Sequence, residues 1–110
     1  MGASEFFDYG YGKTPDAAFS EARQRAEYDY GHAGYTGTMA EKDSFVMIPL
    51  PPRKNPIKYA EKLMTDQDSR IDDKWGPAGC IEVRISPNDR KRLKLGRGIK
   101  KYLFFGWASS

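Results

Sequence analysis

Seven of the twelve residues from Arg90 to Lys101 carry a positive charge, and none carries a negative one. Such a density of cations favours polyanions, because binding releases counterions from the polyanion. Gly96 and Gly98 would let the backbone approach a phosphate. The aromatic residues that follow would stack bases if they faced solvent; they are Tyr102, Phe104 and Trp107.

We therefore predict that this segment binds nucleic acid or another polyanion. Its candidate binding residues are Arg90, Lys91, Arg92, Lys94, Arg97, Lys100 and Lys101. No known nucleic-acid reader motif accompanies them. The alternatives are a solvated, mobile basic hairpin and a segment that docks on an acidic protein surface.

The second candidate is the glycine-spaced stretch DYGHAGYTG, Asp29–Gly37, which holds the only histidine of the chain. Its glycines match neither the dinucleotide-binding nor the P-loop fingerprint. The stretch also follows a predicted helix, whereas a phosphate-binding loop runs into a helix N-terminus. One interpretation is a turn that ends the helix at Gly31. The other is a ligand site in the Gly31–Thr38 loop, with the candidates His32, Tyr35 and Thr36.

Catalytic chemistry has three candidate residues, which are His32, Glu41 and Cys80. His32 would titrate near neutral pH and would act as acid or base, with Glu41 or Cys80 as its partner. A cysteine nucleophile needs such a base within hydrogen-bond reach. No cysteine-protease pattern surrounds Cys80, and a single cysteine is usually a small buried apolar residue.

The acidic stretch TDQDSRIDD, residues 65–73, lacks the glycine and the distal glutamate of a calcium loop. We expect a solvated helix end there, with paired carboxylates for hydrolysis as the alternative. A single cysteine excludes an internal disulfide and a cysteine-based zinc site. The sequence therefore predicts neither a metal nor a cofactor.

A length of 110 residues, 39% of them hydrophobic and 30% charged, predicts one soluble globular domain over residues 1–110. Residues 1–79 have a net charge of −3, and residues 80–110 have one of +6. The N-terminus has no signal-peptide or myristoylation pattern, and no apolar stretch is long enough to span a membrane. With one cysteine, these features predict a cytoplasmic protein that does not associate with membranes.

Two helices are predicted from their start signals. Thr14 followed by Pro15 begins a helix with ion pairs Glu21–Arg25 and Arg23–Glu27. Asn55 followed by Pro56 begins a second helix, which weakens near the TDQDS sequence.

Alternating or continuous apolar residues predict four strands, which cover residues 5–14, 44–50, 80–85 and 102–107. Glycines in the first strand indicate a bulge or a close backbone approach. Apolar residues on both faces of the last strand indicate a central position in the sheet. Residues 86–96 fit either a short helix capped by Ser86 or a basic loop.

The order β-α-β-α-β-β predicts a compact α+β domain, with a four-stranded mixed or antiparallel sheet and two main helices on one face. The first functional hypothesis is a small non-enzymatic protein that contacts nucleic acid through Arg90–Lys101. The second is an inhibitory or accessory protein that binds another protein, of the kind that phages and mobile elements encode. The third is a small enzyme that uses His32 in the Gly31–Thr38 loop.

Overall fold

The computed structural model describes residues 2–30 and 37–109, and of Tyr30 and Ser109 it describes the backbone. The elements in this part of the chain are β1 (Ala3–Gly12), α1 (Pro15–Tyr30), a 3₁₀ helix (Met39–Glu41), β2 (Phe45–Met47), α2 (Pro56–Thr65), β3 (Ala78–Val83), α3 (Pro87–Arg92) and β4 (Lys100–Ser109). The predicted order of strands and helices is confirmed. The segment after Ser86 forms a short helix and then a turn.

The two predicted helices begin at their predicted capping residues, and α3 begins at Ser86, the predicted cap under one of the two alternatives for residues 86–96. A side-chain oxygen accepts the backbone N–H three residues further on, at 3.1 Å in all three cases. The capping residues are Thr14, Asn55 and Ser86, and a proline follows each of them. Gly31, the predicted end of α1, lies outside the described residues.

The strands form one mixed sheet in the order β1-β4-β3-β2. β4 runs antiparallel to β1 and to β3, whereas β2 and β3 are parallel. β4 is therefore central, as its apolar residues on both faces predicted. Every residue from Tyr102 to Gly106 is buried. The α+β class, the single compact domain and the four-stranded sheet are confirmed.

The two main helices lie on opposite faces of the sheet, which corrects the prediction that both cover one face. α1 packs on the face that carries Cys80 and Phe104, and α2 packs on the face that carries Leu103 and Phe105. The connection through α1 crosses the sheet from β1 to β2, and the connection through α2 returns from β2 to β3. Connections between parallel strands are right-handed. Two such connections that cross the sheet in opposite directions therefore place their helices on opposite faces.

Each face has its own apolar core. Under α1, the Phe19 ring lies 5.1 Å from the Phe45 ring and 5.6 Å from the Phe104 ring, measured between centroids. Under α2, Leu63 and Met64 pack with the opposite face of β4. Burial of these large side chains supplies most of the stabilisation in a domain of this size.

The outer edge of β1 is closed by an ion pair from α1. Glu21 and Arg25 pair at 2.7 Å, one helical turn apart, as predicted. Glu21 also accepts the backbone N–H of Tyr11 at 3.1 Å, and Arg25 donates to the carbonyl of Tyr9. The pair therefore occupies backbone groups that an edge strand would otherwise present to another chain. The second predicted pair, between Arg23 and Glu27, is present at 3.4 Å.

α1 approaches β1 so closely that position 10 has no room for a side chain. A Cβ atom on Gly10 would lie 2.4 Å from the carbonyl oxygen of Ala18 and 2.8 Å from the Phe104 ring. The close backbone approach predicted for the glycines of β1 is thus confirmed.

We expect Gly10→Ala to lower the free energy of unfolding by about 1–3 kcal/mol, because the added methyl group forces α1 away from the sheet. Urea unfolding followed by circular dichroism measures this loss. Gly96→Ala is the matched control, since the nearest atom to a Cβ there lies 3.9 Å away. Equal losses in the two variants would contradict the close packing of α1.

Candidate polyanion-binding surface

The basic segment, residues 90–101, covers the end of α3, a turn and the start of β4. Arg90 holds this turn in place from inside. Its guanidinium donates to the carbonyl of Gly96 at 3.1 Å and to the carbonyl of Ile99 at 3.0 Å. Arg90 therefore shapes the segment, although the sequence had grouped it with the binding residues.

Three other cations of the segment have partners of their own. Arg92 pairs with Asp89 at 3.0 Å. Lys100 lies 4.0 Å from a carboxylate oxygen of Glu82. Both pairs are exposed, so each contributes little to stability and a polyanion can compete for the cation. Lys101 lies 4.1 Å above the centre of the Tyr9 ring, in a cation–π contact.

The remaining cations, Lys91, Lys94 and Arg97, are exposed. Within residues 2–30 and 37–109, no carboxylate pairs with any of them. The backbone of Lys94 has a φ of 54° and that of Gly98 has a φ of 84°. The N–H of Ile99 donates to the carbonyl of Gly96 at 3.3 Å, which closes a turn. Lys91 is therefore presented on α3, and Lys94 and Arg97 on the turn that follows it.

The aromatic residues after the segment do not face solvent as base stacking would require. Tyr102 is 2% exposed and Phe104 is fully buried, and both belong to the core under α1. Trp107 is half-buried against the core under α2. The basic segment itself therefore offers charge without a stacking platform.

A second group of cations lies at the start of α2, where the sequence pattern predicts no site. They line a groove of about 440 Å³, together with one aromatic and one amide side chain. The lining residues of this α2 groove are Arg53, Lys54, Asn55, Lys58, Tyr59 and Lys62. The four-residue spacing of Lys58 and Lys62 places them on one side of α2, and Lys54 lies just before the capping residue Asn55. This spacing is the signal that would have revealed the groove.

The basic segment and the α2 groove lie at the same end of the sheet. β1, β2 and β3 are parallel, and the groove follows the carboxyl end of β2 while α3 follows that of β3. The Lys101 side chain of the segment lies on the α2 face. Lys101 covers Tyr9, which packs with the core under α2. Hydrogen bonds from Arg92 and Ser86, and then the charge of Lys101, lower the pKa of Asp89 in α3.

The glycine-loop candidates His32, Tyr35 and Thr36 lie outside the described residues. Glu41 is the half-buried last residue of the 3₁₀ helix. Thr38 caps this helix by accepting the N–H of Ala40 at 3.2 Å. The pairing of His32 with Glu41 or Cys80 therefore stays a prediction.

Cys80 is fully buried in the core under α1. Burial, with a smaller contribution from Glu82, raises the pKa of its thiol to about 12. A thiol with this pKa stays protonated at neutral pH, whereas a cysteine nucleophile reacts as the thiolate. This environment makes Cys80 a packing residue.

Lys42 is a buried lysine that the sequence pattern did not reveal, with 1% of its surface exposed. Its ammonium donates to the carbonyls of Gly76 at 2.9 Å, Lys74 at 3.1 Å and Asp73 at 3.5 Å. Burial lowers the pKa of Lys42, although the nearby Asp73 charge opposes that shift. With its donors turned to backbone carbonyls, Lys42 ties the 3₁₀ helix to the loop before β3.

The acidic stretch is organised by an internal ion pair. Arg70 donates two hydrogen bonds to the carboxylate of Asp68, both at 2.9 Å, and these lower the pKa of Asp68 to about 2. Nowhere in residues 2–30 and 37–109 do three His, Cys, Asp or Glu side chains form a group able to hold a metal ion. No helix in the described part of the chain is long and apolar enough to cross a bilayer.

Comparisons of the chain with protein-family models, with curated proteins and with solved structures found no match.

We expect the Cys80 thiol to resist alkylation by iodoacetamide at about pH 8 in the folded protein, since burial keeps it protonated and inaccessible. Mass spectrometry of the modified protein measures the reaction. In urea the same thiol should react fully, which is the internal control. Rapid alkylation of the folded protein would contradict the assignment of Cys80 to the core.

Proposed function

We propose that this is a small non-enzymatic protein that binds nucleic acid through its phosphates, using the exposed cations of the basic segment. The observation that carries the proposal is the set Lys91, Lys94 and Arg97, three exposed cations with no carboxylate partner in the described part of the chain. Because they are already free of ion pairs, a phosphate would bind them without first displacing an acid.

The shape of the segment supports this proposal. Arg90 fixes the turn through two backbone carbonyls, so the free cations extend from a defined backbone. A fixed loop loses less conformational freedom on binding than a mobile one. The solvated, mobile basic hairpin is therefore the less favoured alternative.

The distribution of charge supports it as well. The excess of cations belongs to residues 80–110, whereas residues 1–79 are acidic overall. An uneven charge distribution of this kind lets the electric field of a polyanion orient the protein as the two molecules approach each other. Since Tyr102 and Phe104 are buried, the basic segment would contact phosphates and not base faces. Contacts of that kind are tolerant of sequence and sensitive to salt.

The test compares the wild-type protein with the variant Lys91→Gln, Lys94→Gln, Arg97→Gln. Fluorescence anisotropy with labelled RNA and DNA oligonucleotides measures the dissociation constant between about 50 and 200 mM salt. We expect the slope of log affinity against log salt to become shallower by about 2 to 3 in the variant, since each lost phosphate contact removes 0.7–0.9.

The matched control is the variant Ser20→Glu, Gln24→Glu, Tyr28→Glu on the exposed face of α1. This control lowers the net charge by the same amount as the basic-segment variant. Equal weakening of nucleic-acid binding in both variants would show that only the overall charge matters, and it would overturn the proposal. Absence of wild-type binding to RNA and DNA at about 50 mM salt would overturn it too. Thermal unfolding confirms that both variants are folded.

A further inference from the structure

The α2 groove concentrates positive charge without a carboxylate among its six lining residues. Arg53, Lys54, Lys58 and Lys62 form no ion pair with an acid of residues 2–30 and 37–109. Lysines four residues apart on one helix repel each other, which destabilises the helix. An anionic ligand in the groove would remove this repulsion.

The positive charge of the groove comes from its side chains and not from the backbone N–H groups at the N-terminus of α2. Asn55 accepts the N–H of Lys58 at 3.1 Å, so a backbone donor of the first turn is already used. Arg53 adopts a φ of 62°, which directs the chain from the proline-rich turn into α2. The cations themselves therefore make up the anion-binding character of this surface.

Tyr59 gives the groove an aromatic group that is held in place. Its ring packs partly against the core under α2. Arg70 lies near the Tyr59 side chain, and Asp68 fixes Arg70 through two hydrogen bonds of 2.9 Å. A ring held on one side and exposed on the other loses little freedom when a flat group stacks on it.

We infer that the α2 groove binds single-stranded nucleic acid, with phosphates on its cations and one base against the Tyr59 ring. A groove of about 440 Å³ that combines cations with an aromatic suits this ligand, because the bases of a single strand are free to stack. In a duplex the bases are stacked on each other and cannot reach Tyr59. This inference rests on the proposed function, since the basic segment lies at the same end of the sheet and would bind the same strand.

The test measures anisotropy with labelled oligothymidylate of about 16 nucleotides and with a duplex of equal length. We expect the wild-type protein to prefer the single strand. Tyr59→Leu should weaken single-strand binding about tenfold, because one stacking contact is lost. It should leave duplex binding unchanged. Tyr59→Phe is the matched control, since it keeps the ring, and it should retain the preference.

A second variant keeps the inference falsifiable if Tyr59→Leu does not fold. Lys58→Gln, Lys62→Gln changes two exposed residues and should make the salt slope shallower by about 1 to 2. Wild-type affinity in both groove variants, with weakened binding in the basic-segment variant, would overturn the groove and leave the proposed function standing. Absence of wild-type binding would overturn both. Displacement of the strand by thymidine monophosphate at comparable affinity would assign the groove to a mononucleotide instead.

Discussion

The fold depends on the burial of β4 from both sides. Its residues Tyr102–Gly106 are shielded by the core under α1 on one face and by the core under α2 on the other. An apolar strand in this position requires a helix on each face, because either face left open would expose aromatic surface to water. The rest of the architecture follows from this requirement. The connections that follow β2 and β3 carry the two basic surfaces, on the exposed side of α2 and on the segment from α3 to β4.

Much of the charge in this protein serves the fold. Glu21 and Arg25 close the edge of β1, and Arg90 holds the turn before β4. Lys42 joins the 3₁₀ helix to a distant loop. The cations with no such role are concentrated at one end of the sheet, on the basic segment and in the α2 groove. This separation between structural charges and charges without a carboxylate partner in the described residues is the basis of the proposed binding surface.

Local features of the fold were predictable, because they depend on neighbouring residues. The caps Thr14 and Asn55 and the central position of β4 are of this kind. The face that each helix covers was not predictable from its apolar stripe, since a stripe indicates burial and not the side of the sheet. The two apolar faces of β4 already required cover on both sides. The α2 groove was missed because Lys54, Lys58 and Lys62 are dispersed among apolar residues, whereas the basic segment is continuous.

In the proposed function and its extension, two separate segments form the surface that contacts nucleic acid. Nuclear magnetic resonance of the ¹⁵N-labelled protein, titrated with a single-stranded oligonucleotide, tests this claim most directly. If both segments contact the strand, the amide signals of residues 91–98 and 54–62 will shift together as the oligonucleotide is added. The amide signals of residues 16–28 in α1 will not shift. Shifts confined to other parts of the chain, or no shifts at low salt, would contradict this claim.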